Sequence, residues 1–220
     1  ETPERWRILG GAQQLSERLA ERLGDRIHLD DPVVSIEWDQ DGAVVYTDLD
    51  GEFAAKRVVV ALPPHLAGRL HYYPPLPVAR DSLTARFPVG HVIKVQVVYE
   101  TPFWRENGQN GYALIPVPEV LTFVGDNSTP ESDRGVLVGF IYAERAAEMT
   151  DLPADVRRQY VLRELAAVFG PQALEPLDYI EGLWSREQWS LGAWQCIPSP
   201  GAWTSYGEAW RAPLGPDRKS

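Results

Sequence analysis

Residues 91–99, HVIKVQVVY, constrain the fold more than any other stretch of the chain. They are rich in β-branched residues, with Gly90 before them and Pro102 after, and so read as a β-strand. Alternation puts His91, Ile93, Val95, Val97 and Tyr99 on one face and Val92, Lys94, Gln96 and Val98 on the other. The second face carries a lysine in mid-strand. A buried ammonium is costly unless it is paired, hydrated or neutralised. Either this is an edge strand, where a lysine blunts aggregation, or the lysine has a task.

The flanking sequence supplies the other elements. Residues 12–23 place Leu15, Leu19 and Leu23 on one helical stripe, with Gly24 as the stop. Gly10-Gly11 lies just before. A glycine turn opening a helix can present N–H groups to a cofactor, and an ordinary turn would read the same. Strands are expected at 26–29, 32–38 and 43–47, with turns at Asp41-Gly42 and Asp50-Gly51. A fourth is expected at 55–64, where Val58–Val60 suggests cover on both faces before Pro63-Pro64 ends it. Residues 70–80 are too proline-rich for regular structure and read as a crossing, followed by a short helix at 80–87. Strands are expected at 112–115, 120–125 and 135–141, separated by a loop at 126–135. A helix over 153–169 has Pro153 at its start, Gly170 as its stop, and Val156, Tyr160, Val161, Leu165 and Val168 as its apolar positions. The tail from 181 reads as irregular and aromatic. Together these predict an α/β (α+β) chain with a three-stranded β-meander and a second, mixed sheet flanked by helices.

Composition narrows the function classes. With net charge −10 and pI about 4.9, a nucleic-acid surface built on clustered Lys and Arg is disfavoured. A single cysteine, Cys196, excludes an internal disulfide and fits a reducing, cytoplasmic setting. The four histidines show no metal-ligand spacing. No apolar run is long enough to span a bilayer, and no signal-peptide core follows the N-terminus. The chain starts with Glu1 rather than Met, so a processed or cut polypeptide is expected. Five of the eight tryptophans lie between 184 and 210, which points to a core layer or an aromatic-walled pocket. No dinucleotide-binding glycine fingerprint, phosphate loop or hydrolase motif is present.

Several stretches taken together resemble the flavin-containing amine oxidases, the monoamine oxidases and their bacterial putrescine- and tyramine-type relatives. They are LGGAQQLSERLAERLGDRIHLDDPVVSI (9–36), VVVALPPHLAGRLHYYPPLP (58–77), VGHVIKVQVVYETPFWR (89–105), DNSTPE (126–131), GVLVGFI (135–141), EPLDYIEGLWSREQWSLGAW (175–194) and PSPGAWTSYGEAWRAPLG (198–215). The resemblance implies that Lys94 faces a flavin and holds a water near its reactive nitrogen. It implies cofactor contacts at Gly10, Gly11, Val33, Ala61, Leu62, Pro63 and Trp184. Trp194 would be one wall of an aromatic cage for the substrate amine, with Phe123, Phe140, Asn110 and Gly125 lining the pocket.

The departures matter as much. Ala193 stands where mammalian relatives have the cysteine that binds FAD covalently, so noncovalent FAD is implied. Trp194 replaces the usual tyrosine of the cage. The family's opening strand–glycine turn–helix and its closing segment have no counterpart here. The expected spans are therefore part of an FAD-binding domain at 1–70, a substrate-binding domain at 71–180 and a return segment at 181–220. A second polypeptide would supply the missing FAD-binding segments, and the chain alone would bind FAD weakly or not at all. A noncatalytic substrate-binding or interaction domain and a related amino-acid oxidase are the alternatives.

Overall fold

The computed structural model describes residues 8–116 and 119–215. Contacts divide the chain into two compact units, one of Glu1–Val59, Leu70–Leu76 and Pro213–Ser220, the other of Val60–Arg69 and Pro77–Ala212. The chain thus passes between units more than once.

The first unit contains helix α1 (Gln13–Leu23) and strands β1 (Val33–Trp38), β2 (Ala43–Thr47), β3 (Glu52–Ala55) and β4 (His71–Tyr73). β1, β2 and β3 form the expected antiparallel meander, and β4 adds parallel to β1, giving the order β3-β2-β1-β4. The first turn forms where Asp41-Gly42 predicts it: Asp39 Oδ1 accepts the N–H groups of Asp41 (2.7 Å) and Gly42 (3.0 Å). α1 stops at Gly24, whose φ of +55° suits glycine. It buries no residue among the described ones: Leu15, Leu19 and Leu23 are all exposed.

The second unit holds helices α2 (Pro64–Ala67), α3 (Val78–Thr84), α4 (Phe103–Glu106), α5 (Ala143–Thr150), α6 (Ala154–Phe169) and α7 (Ala202–Tyr206). Its strands are β5 (Val92–Tyr99), β6 (Ala113–Leu114), β7 (Phe123–Asp126), β8 (Gly135–Tyr142) and β9 (Asp178–Leu183), in the antiparallel order β6-β7-β8-β5-β9. One sheet is therefore mixed and the other antiparallel, with helices beside them. The pleat sorts β5 as its sequence demands. Ile93, Val95, Val97 and Tyr99 enter the core, while Lys94, Gln96 and Val98 on the opposite face are half-buried. Leu137 and Ile141 of β8 join that core with Val161, Leu162, Leu165 and Phe169 of α6. Each fully buried Val or Leu there contributes about 1.5–3 kcal/mol.

Several expectations fail for identifiable reasons. Residues 26–29 form no strand; Arg26 closes a 3-10 turn instead. The strand expected at 55–64 ends at Ala55, and Val59 is 89% exposed. β-branched residues supply propensity, but a strand also needs a neighbour for its N–H and C=O groups. The proline-rich 70–80 does hold structure, because its prolines fall at ends: Pro74 and Pro75 follow β4, and Pro77 caps α3. The tail from 181 begins inside β9, where Glu181, Gly182 and Leu183 lack an alternating pattern but gain β5 as partner. On α6, Tyr160 is exposed while Arg157 is 4% exposed.

Arg157 is buried because it has a partner. Its Nε lies 3.1 Å from both carboxylate oxygens of Glu181 on β9, and its guanidinium also donates to the Leu152 carbonyl. Tyr179 adds a phenol O–H at 3.3 Å to the same carboxylate. The pair ties α6 to the sheet. Glu181→Leu leaves a buried guanidinium uncompensated and should cost roughly 3–5 kcal/mol in urea unfolding; a loss under about 1 kcal/mol would show that water replaces the carboxylate.

A second anchor is acid-sensitive. Asp126 accepts Trp104 Nε1–H and Arg105 Nε–H, both at 2.9 Å, and the Ser128 N–H at 2.9 Å. Burial works to raise this carboxyl, but the hydrogen bonds from Ser128, Trp104 and Arg105 outweigh it and hold it below 3.8. A depressed acid stabilises the fold above its unfolded pKa, and that contribution is lost as pH falls through the folded value. Asp126→Asn should therefore be less stable than the parent at neutral pH, with the gap narrowing below about pH 4. Equilibrium unfolding across pH 2.5–7 on the order of six points tests the convergence.

Candidate functional site

Residues directly opposite each other in an antiparallel sheet share a face. Phe123 on β7 is opposite Phe140 on β8, Phe140 is opposite Lys94 on β5, and Lys94 is opposite Gly182 on β9. These four form one row on the face turned away from the core. The next row, two residues along β5, is Gly125, Val138, Gln96 and Ile180, where Asn127 Nδ2 donates to Gln96 Oε1 at 3.1 Å. Because β5 has a neighbour on each side, Lys94 is not an edge-strand lysine.

The surroundings of Lys94 are aromatic. Its Nζ is 5.9 Å from the Phe140 ring centroid, at the outer limit of a cation–π contact. Its ammonium has no hydrogen bond or ion pair among the described residues. On the β9 side, a Cβ added at Gly182 would meet the Trp184 indole nitrogen at 3.5 Å, so that indole folds back over Gly182. Trp194 lies 4.9 Å from Phe140 and 6.3 Å from Tyr142, and Tyr142 stacks on Phe140 at 5.9 Å with 6° between planes. Phe123 stacks with Phe140 at 6.1 Å. Burial pushes the Tyr142 phenol up, against a hydrogen bond from Trp194 that works to lower it.

Gly125 is small because Phe123 and Tyr112 close over it; a Cβ would meet their rings at 3.2 and 3.4 Å. Asn110 is exposed, and its Oδ1 accepts the Tyr112 N–H at 3.0 Å, so it shapes the turn that carries Tyr112. The five tryptophans after 183 are not a core layer: Trp184 is 39% and Trp194 63% exposed, and Trp189, Trp203 and Trp210 are exposed too. The remaining expected residues divide between the units. Gly10 and Gly11 form a turn in the first, with φ of +76° and +91°, and the Gly11 N–H is taken by the Ile8 carbonyl at 2.9 Å. Val33 opens β1 in that unit, whereas Ala61, Leu62 and Pro63 form an exposed stretch leading into α2 in the second.

The family model described as flavin containing amine oxidoreductase matches residues 2–217. The chain belongs to that family. It is 40% identical to an L-amino acid dehydrogenase of Synechocystis over 98% of its own length and 45% of the relative's. It is 39% identical to a putrescine oxidase of Kocuria rosea, covering 96% of this chain and 46% of that one. A solved putrescine oxidase bound to putrescine superposes with a TM-score of 0.90 at 43% identity, over 94% of this chain and 46% of that chain. The chain thus spans a little under half the length of the relatives it matches.

The residues present fit a flavin of this family on one observation: a half-buried ammonium with no anionic partner among the described residues shares its row with Phe140, against which the exposed Trp194 packs, and with Gly182, over which the exposed Trp184 folds. Such a group suits a planar ring that gains negative charge. Among the described residues no group of three or more His, Cys, Asp or Glu could hold a metal ion, and no helix is long and apolar enough to cross a membrane. Tyr142, Tyr112, Gln96 and Asn127 belong to this face and were not singled out from sequence. The signal for two was available: Gln96 and Tyr142 each stand two residues beyond a chosen position on the same strand. Tyr112 and Asn127 arrive through tertiary contacts alone.

Gly182→Val should push the Trp184 indole off the sheet. The near-ultraviolet circular dichroism should change by about one tryptophan's worth while thermal stability falls by no more than about 2 kcal/mol. An unchanged spectrum would place the indole elsewhere.

Proposed function

We propose that this chain forms the substrate side, with part of the cofactor wall, of an FAD-dependent oxidase acting on primary amines. The observation that carries the reading is the placement of Lys94 in one row with Phe140, against which Trp194 packs, and Gly182, over which Trp184 folds. Bound FAD would supply the two-electron oxidation of the amine to an imine, hydrolysed in water to an aldehyde, with O2 as the terminal acceptor giving H2O2. The chain's own residues act around that step. Phe140, Tyr142 and Trp194 offer ring faces that attract an amine and orient its C–H bond. Lys94 holds a fixed positive charge and a water beside them. In the second unit, Trp184, Ala61, Leu62 and Pro63 would contact the cofactor, which would be bound noncovalently since Ala193 offers no thiol; Gly10, Gly11 and Val33 are the first unit's own candidates for such contacts.

A second polypeptide carrying the dinucleotide-binding segments would complete the site. The exposed leucines of α1 and the exposed Trp194 support that, since each leaves apolar surface uncovered. Oxidation of an amino acid is the second reading, favoured by the likeness to the Synechocystis dehydrogenase. A noncatalytic binding domain is the third.

Intact mass and an absorbance scan from roughly 350 to 500 nm separate these. Flavin bands together with a second polypeptide are expected, and bleaching by a primary amine under anaerobic conditions, but not by an amino acid, supports the amine reading. Lys94→Met should then slow turnover or reoxidation about 100-fold. A complex with the second polypeptide that stays colourless with added FAD would favour the noncatalytic reading.

A further inference from the structure

The segment carrying Trp194 has no regular secondary structure, yet it is held at several points. On one side it pairs with residues 86–90: Val89 and Cys196 form an antiparallel bridge, the Ala193 N–H donates to the Gly90 carbonyl at 3.0 Å, and the Ile197 N–H donates to the Pro88 carbonyl at 3.0 Å. Gly90 and Gly192 permit the approach, since a Cβ at Gly192 would lie 2.5 Å from the Gly90 oxygen. This pairing fixes the backbone from 193 onward. Upstream, the Glu187 carbonyl accepts the N–H groups of Ser190 (3.1 Å) and Leu191 (2.7 Å), and Leu191 holds a φ of +55°, a conformation that a leucine keeps only when its surroundings impose it.

A histidine on α2 reaches both ends of this stretch. His65 Nε2 is 2.9 Å from the Ser190 carbonyl oxygen, and His65 Nδ1 is 3.1 Å from Cys196 Sγ. The carbonyl can only accept, so Nε2 carries a proton, and in the tautomer with its proton on Nε2 the ring presents a lone pair at Nδ1. Nδ1 therefore accepts the Cys196 S–H, a role that matches a thiol which burial pushes up and keeps protonated. The imidazole bridges the two ends, one bond on the Ser190–Leu191 peptide and one two residues beyond Trp194.

We propose that His65 is a positioning residue for the amine pocket: by bridging the Ser190 carbonyl and the Cys196 thiol it sets where the Trp194 indole stands against Phe140 and Tyr142. The inference rests on the reading of Trp194 as a pocket wall, but its test needs neither flavin nor turnover. The bridge requires one donor towards Ser190, one acceptor towards Cys196, and a donor at 196. Glutamine at 65 can supply the first two and serine at 196 the third, while alanine at either position cannot.

The experiment is 19F NMR of the full chain labelled with 5-fluorotryptophan, with the Trp194 resonance assigned by its loss in Trp194→Phe. In His65→Ala the Trp194 signal should shift or broaden, while the signals of Trp38 in the first unit and Trp104 in the core stay in place. His65→Gln and Cys196→Ser should each restore the parent position, and Cys196→Ala should move the signal in the same direction as His65→Ala by a smaller amount. An unmoved Trp194 signal in both alanine variants would overturn the proposal. So would Cys196→Ser behaving like Cys196→Ala, since the hydrogen bond would then not matter. If His65→Ala disperses every tryptophan signal through misfolding, Cys196→Ala decides alone. If this proposal fails, the amine-oxidase reading stands, because that reading depends on flavin bleaching.

Discussion

The pairing of β5 with β8 on one side and β9 on the other is the constraint on which the rest of the second unit depends. It makes β5 an interior strand, so both faces of the strand are in use. One face carries Ile93, Val95, Val97 and Tyr99 into the packing with α6. The other can then afford a lysine, because folding does not rely on that face being dry. Stability and candidate chemistry thus lie back to back on a single strand, and the two-residue period keeps them apart.

The same division explains where charge is buried. On the core side, Glu181 pairs with Arg157, and neither group is left without a partner. One residue further along β9, on the opposite face, Gly182 removes the side chain altogether and lets Trp184 lie over the sheet next to Lys94. A compensated ion pair under the sheet and an ammonium without a counter-ion above it are different situations. The first holds a helix to the sheet. The second has no counter-ion among the described residues, which is why the proposed site is centred on Lys94 rather than on Arg157.

Much of this was legible before any fold was known. The alternation in 91–99 separated the core residues from Lys94, and Asp41-Gly42 marked the first hairpin. The α6 helix and its stop at Gly170 could be read from capping and spacing. The valine run at 58–60 misled, since propensity without a neighbouring strand makes no sheet, and β9 was missed because its partner lies some eighty residues earlier, roughly the kind of non-local pairing that no local pattern records. The tryptophans after 183 were counted correctly, but whether each was covered depended on which elements returned to pack on them.

By itself the sequence determined the two-faced strand, because alternation follows from residue type and period, whereas Phe123, Phe140, Gly125, Trp184 and Trp194 were pointed to by the family resemblance and Gly182 by the fold alone. Only the tertiary structure decided that Phe123, Phe140, Lys94 and Gly182 form one row, and that His65 spans to Ser190 and Cys196, more than a hundred residues away. Side-chain alternation is local and can be read along the chain. Register between strands and the reach of a side chain across the fold are set by packing, which involves residues that the local sequence does not contain.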